Sequence, residues 1–164
     1  MKRLGSTLFL RIAVILIGVP ILALCILLLP KIVIEAIEQA KDGAMLGFVI
    51  LSILLIMYGT AIPFYYALYQ ALKLLRYIDN NEAFSQLSVV SLRKIRNCAI
   101  AISSLYAVAL PMFFIVAQWD DAPGLVLIGL VIVGASMVVA VFVAVLKKLL
   151  QEAIDMKAEN DLTV

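Results

Sequence analysis

The sequence predicts an all-α, polytopic membrane protein: four transmembrane helices in an antiparallel bundle, with the second and third forming a hairpin on the cytoplasmic side. Four long apolar runs make up most of the chain. Hydrophobic residues reach 65% and charged residues only 15%, with a mean hydropathy of +1.14, so lipid is the natural solvent. The third observation is the charge pattern. Lys2, Arg3 and Arg11, then Lys73, Arg76, Arg93, Lys94 and Arg96, and finally Lys147, Lys148 and Lys157 fall on one side of the runs, while Lys31 and Lys41 fall on the other. The positive-inside rule therefore places both termini and the central connection in the cytoplasm. The 164 residues fit a single four-helix domain, residues 1–164, with helices at about 7–29, 43–78, 86–118 and 125–157.

The first run follows Lys2 and Arg3 and contains Leu22-Ala23-Leu24-Cys25, a faint lipoprotein cleavage box. Leu24 is too large for the position before such a cysteine and the apolar stretch continues to Leu29, so a retained helix is expected. Arg11 lies near enough to the inner surface to snorkel. Pro30 should end this helix, and Lys31 to Asp42, with Ile34, Ile37 and Ala40 beside Glu35, Glu38 and Asp42, should form an amphipathic segment lying on the outer membrane surface. Cys25 and Cys98 fall near opposite ends of their helices, on the order of 20 Å apart in depth and beyond disulfide reach.

The second helix starts near Gly43 and continues to about Tyr77 or Ile78. At 1.5 Å per residue it is roughly 50 Å long against about 30 Å of hydrocarbon, so its last turns project into the cytoplasm. Pro63 falls in mid-membrane and frees a carbonyl that Thr60 is placed to satisfy. Tyr58, Tyr65 and Tyr69 share a face at helical spacing. They either line a cavity for a small ligand or pack between helices with their hydroxyls on neighbouring backbone.

Tyr77 to Ser85 is the most polar interior segment and forms the cytoplasmic turn, with Asn80-Asn81 suited to tight-turn geometry. Ser85 is placed to cap the third helix, with Phe84 and Val89 as a hydrophobic staple. This helix again outruns the bilayer. Arg93, Lys94 and Arg96 ring its exit from lipid, as topology anchors, as contacts to anionic headgroups or as a dock for an acidic protein. Trp119 to Gly124 turns at the outer headgroup level. In the fourth helix Ser136, Ala140 and Ala144 recur at i+4, as Ala99, Ser103 and Ala107 do in the third, which predicts close packing of these two helices. The alternative is a stripe facing a second copy, giving a homo-oligomer. Beyond Lys147-Lys148 the apolar order continues through Ile154, and Glu159 to Val164 has no helical pattern. That end reads as a frayed tail or as a short extended peptide for another protein.

The inventory argues against catalysis. There is no His, two distant Cys make no metal site, no carboxylate sits inside an apolar run, and no glycine loop cradles phosphate. No cofactor, metal or catalytic residue is expected. The net charge of +2 gives no motive for direct nucleic-acid binding.

Ala67-Leu68-Tyr69-Gln70-Ala71-Leu72-Lys73-Leu74-Leu75-Arg76-Tyr77-Ile78-Asp79, Ala83-Phe84-Ser85, Ser91-Leu92-Arg93-Lys94-Ile95 and the terminal Glu159-Asn160-Asp161-Leu162-Thr163-Val164 resemble the YoaS-like bacterial membrane proteins, a domain of unknown function. The resemblance implies a four-helix plasma-membrane protein of a bacterium, of the Firmicute type. It also implies, as a partner, a small Cro/C1-type helix-turn-helix regulator encoded alongside. On this reading the chain is a non-enzymatic interaction or signalling protein, with Asp79, Arg93, Lys94, Arg96, Leu162 and Val164 as candidate partner contacts. The alternative is a small permease or immunity-type protein with a cavity at Tyr58, Tyr65 and Tyr69.

Overall fold

The computed structural model describes residues 2–119 and 121–163. Its elements are all helical: α1 (Lys2–Ala23), a π-helical turn (Leu24–Leu28), α2 (Leu29–Lys41), α3 (Met45–Asp79), α4 (Gln86–Trp119) and α5 (Gly124–Thr163). Four helices are long and apolar enough to cross a membrane, the first of them running unbroken through α1, the π turn and α2. Neighbours in sequence are neighbours in space: α1 and α2 lie on α3, α3 on α4, and α4 on α5. The outward surface is apolar, with Phe9, Leu55, Ile62, Val108 and Val138 exposed, as a surface solvated by lipid requires.

The first helix does not stop at Pro30, and the segment after it does not lie apart as a surface helix. The proline ring would strike the carbonyl four residues back, and its missing N–H would leave an acceptor unpaired. The chain resolves both by widening into a π turn, in which the Leu29 amide reaches back to the Leu24 carbonyl. The next amide would be that of Pro30, so the Cys25 carbonyl is left open. The Tyr58 hydroxyl of α3 donates to it at 3.0 Å. With helical continuity kept, α2 packs along α3, burying Leu29 and Ala36 against Leu54.

Three connections share one geometry. Gly43, Asn81 and Asp121 adopt positive φ of 81°, 64° and 51°. The residue after each donates to a carbonyl five positions back, Ala44 to Gln39, Glu82 to Tyr77 and Ala122 to Ala117. This is the Schellman closure, which satisfies the last carbonyls of a helix while reversing the chain. Ser85 does not cap α4 as expected. Its hydroxyl donates back to the Glu82 carbonyl at 2.6 Å, joined by Ser88 at 3.2 Å, and Phe84 stays exposed. The serines therefore close the turn rather than the helix.

The main core lies where α3, α4 and α5 meet: Ile53, Tyr106, Ala109, Phe113 and Val116, backed by Leu125, Ile132 and Val133. The Tyr106 and Phe113 rings stack with centroids 6.4 Å apart. Thr60 does not serve the carbonyl that Pro63 frees. Its hydroxyl donates to Met57 at 2.9 Å and sits 3.4 Å from the Tyr106 hydroxyl, tying α3 to α4. Of the small-residue stripes, Ala99, Ser103 and Ala140 are buried, Ala107 is exposed, and Ser103 donates to the Val133 carbonyl at 3.3 Å. Small side chains let the backbones approach closely enough for that interhelical bond.

Candidate functional site

Several polar side chains with a structural role gather where the basic residues lie. Asp79 is the last residue of α3 rather than a loop carboxylate, and α1 engages it from a distance of about seventy residues in sequence. The Thr7 hydroxyl donates to one carboxylate oxygen and the Arg11 guanidinium to the other, each at 2.5 Å. The Asp79 side chain is 8% exposed and that of Arg11 34%, so the pair sits at a half-buried boundary. Arg11 therefore ion-pairs instead of merely snorkelling. Its Nε is buried without a partner. Asp79 was a candidate contact for a partner protein, and its carboxylate is already engaged within the chain.

The three basic candidates on α4 differ in placement. Arg93 is exposed and Lys94 half-buried. Arg96 turns toward α5, where with Ala144, Lys147, Lys148, Gln151 and Glu152 it lines an open groove of about 370 Å³. Lys147 stands just past the apolar span. Desolvation there, followed by the nearby charges of Arg96 and Arg93, lowers its pKa from the ordinary lysine value. Among the described residues the one ion pair joins Arg11 to Asp79, so these cations repel one another, and Glu152, which shares the groove, forms no ion pair with them. The sequence reading did not single out Lys147, Lys148 or Thr7 as site residues. The signal for the lysines was present: Ala99 extended one turn back reaches Arg96, and Ala144 extended one turn forward reaches Lys147 and Lys148.

The tyrosines do not gather around one space. Tyr58 and Tyr65 donate to the Cys25 and Gly18 carbonyls at 3.0 and 2.9 Å, which holds α1 and the π turn to α3, while Tyr69 is 57% exposed. The bond from Tyr58 serves the carbonyl that Pro30 leaves open. Cys25 and Cys98 are both free thiols.

Gln70 is a polar residue that the sequence reading passed over. It is 2% exposed on α3, and its carbonyl oxygen has no partner. A buried acceptor left unpaired costs about 1–3 kcal/mol. The variant Gln70→Met removes that acceptor at similar volume, so its unfolding midpoint in detergent should equal or exceed that of the parent. A clear fall would show that Gln70 carries a polar contact the fold depends on.

The far end of α5 departs from expectation. Glu159 to Thr163 continue the helix, so neither a frayed tail nor an extended peptide describes this end. Leu162 is 86% exposed there. Val164, the remaining candidate contact, and Asp120 lie outside the described residues. The described residues hold no group of three His, Cys, Asp or Glu side chains that could bind a metal ion.

Residues 45–164 match the family model described as protein of unknown function, DUF2975. The chain is 58% identical over 159 residues to the uncharacterized membrane protein YoaS of Bacillus subtilis (strain 168), covering 97% of this chain and 98% of that one. No solved structure matches. The relative's description as a membrane protein agrees with the four membrane-length helices, and the chain belongs to the DUF2975 family of YoaS-like membrane proteins.

Proposed function

We propose that this protein is a non-catalytic interaction protein of the bacterial plasma membrane. Its helices form an antiparallel bundle, its termini and the α3–α4 hairpin face the cytoplasm, and the inner face docks a small Cro/C1-type helix-turn-helix regulator. The observation that carries the reading is the arm at the end of α5. This helix has 40 residues, roughly 60 Å, about twice the hydrocarbon thickness. From Asp155 to Leu162 every residue is exposed, and Met156 and Leu162 stand among Asp155, Lys157, Glu159 and Asp161. A helix that keeps apolar side chains in water after leaving its own bundle suits recognition in a partner's groove. Orientation is supported by the charge pattern, since Lys2, Arg3, Arg93, Lys94, Lys147 and Lys148 flank spans on one side. The regulator as occupant comes from the family resemblance.

The test is co-purification of the adjacently encoded regulator with the full chain from detergent-solubilised membranes. Leu162→Glu and truncation after Asp155 should each reduce the recovered regulator about tenfold or more, while Lys31→Gln, on the opposite side, should leave recovery unchanged. Equal recovery from all variants would remove the arm from the interaction. Failure to recover any regulator from the parent chain would overturn the proposed partner.

A further inference from the structure

We propose that the groove between α4 and α5 binds the phosphate of an anionic phospholipid headgroup. The groove is built from two helices. Arg96 enters from α4, and Lys147 and Lys148 enter from α5, with Ala144 as its apolar wall. Arg93, one turn from Arg96, adds a fourth charge within electrostatic reach of Lys147. Cations held this close repel, and an anion between them converts that repulsion into attraction. Glu152 also lines the groove but forms no ion pair with these cations among the described residues.

The Arg96 guanidinium shows what is missing. One terminal nitrogen donates to the neighbouring Asn97 side chain at 3.2 Å, and Nε is buried with no acceptor. A phosphate group presents several oxygens to a planar guanidinium and can accept from Nε and a terminal nitrogen together, which a single amide oxygen cannot.

Depth selects a lipid as the source of that phosphate. Beyond Arg96 α4 carries no charged side chain up to Trp119, and immediately before Lys147 the exposed surface of α5 is Phe142, Val145 and Leu146. The groove thus opens where apolar surface gives way to charge. That is the level of the phosphate layer of a bilayer, with acyl chains free to run along Phe142 and Val145. The inference needs only that this chain spans a membrane, and it stands or falls independently of any regulator.

The experiment uses the full chain in neutral detergent with three probes: phosphatidylglycerol, phosphatidylcholine and inorganic phosphate. Native mass spectrometry reads retained lipid, and a thermal shift reads stabilisation. Phosphatidylglycerol should be retained and raise the melting temperature, whereas phosphatidylcholine should do neither. The double variant R96Q/K147Q should weaken phosphatidylglycerol binding about tenfold or more, and K31Q/K41Q, at the other membrane face, should leave it unchanged. Equal retention of both lipids, or undiminished binding in R96Q/K147Q, would overturn the proposal. Inorganic phosphate stabilising the lipid-free protein as well as phosphatidylglycerol does would also overturn it, in favour of a soluble anion. Should the double variant fail to fold, the unmodified chain still decides. Its phosphatidylglycerol-dependent shift should shrink as salt rises, and a salt-independent shift counts against a charged headgroup site.

Discussion

Asp79→Asn is expected to destabilise the protein by about 2 kcal/mol, among the largest effects of any single polar substitution in the chain. Its carboxylate accepts from both the Thr7 hydroxyl and the Arg11 guanidinium. Removing one partner of a fully buried pair costs about 3–5 kcal/mol, because the other charge is left desolvated and alone. Arg11 is about a third exposed and recovers part of its hydration, which brings the figure down. The remaining cost is real because Arg11 Nε already lacks a partner and cannot absorb a further loss. Unfolding in mixed micelles should show a lowered midpoint for Asp79→Asn and for Arg11→Met. The double variant should lie close to the worse single one or above it, since neither charge is then orphaned. Strict additivity of the two singles would mean that the contact contributes no coupling and that α1 is held by its apolar face and the tyrosine bonds alone.

Gly47→Ala should be costly, by about 1–3 kcal/mol, although alanine is ordinarily the better helix former. A Cβ at Gly47 would lie 2.5 Å from the Ala40 nitrogen and 2.9 Å from the Ala36 carbonyl oxygen. Both atoms are backbone, held in the ladder of α2, so no rotamer change relieves the clash and α2 must move away as a unit. That movement uncovers Ala36 and strains the turn at Gly43, whose φ of 81° only glycine adopts without cost. Gly59→Ala is the matched control, with nothing within 4 Å of its added carbon on the same helix. Thiol labelling of an Ala36→Cys reporter should be slow in the parent and in Gly59→Ala and markedly faster with Gly47→Ala. Equal labelling rates in all three would show that α2 does not depend on this close approach.

The positions of α3 and α4 were readable from the chain to within about two residues, because a membrane helix is a long apolar run bounded by polar turn residues. Asn81 could likewise be read as a turn position, whereas Gly43, expected to start the second helix, closes the turn before it. The path after Pro30 could not be read. Proline signals that a helical bond is missing but does not say whether the chain breaks or widens. Tyr58, thirty-three residues after Cys25, meets the Cys25 carbonyl left open by the widened turn. The far end of α5 was misjudged for a different reason. Glu159 to Thr163 carries a single apolar residue, Leu162, and a helix that buries nothing leaves no periodic trace.

The same division holds at the candidate sites. Arg93, Lys94 and Arg96 are equivalent as letters in a basic run, and only the packing of α5 against α4 separates Arg96, turned into a groove with Lys147, from Arg93, left outside it. Hydropathy and charge, summed along the chain, by themselves determined that this is a four-span protein of lipid with one strongly basic end. Which polar groups are already engaged, Asp79 by Arg11 and Thr7, and which cations remain unpaired, was decided by tertiary structure. Those contacts join residues tens of positions apart, and no local periodicity encodes a partner at that distance.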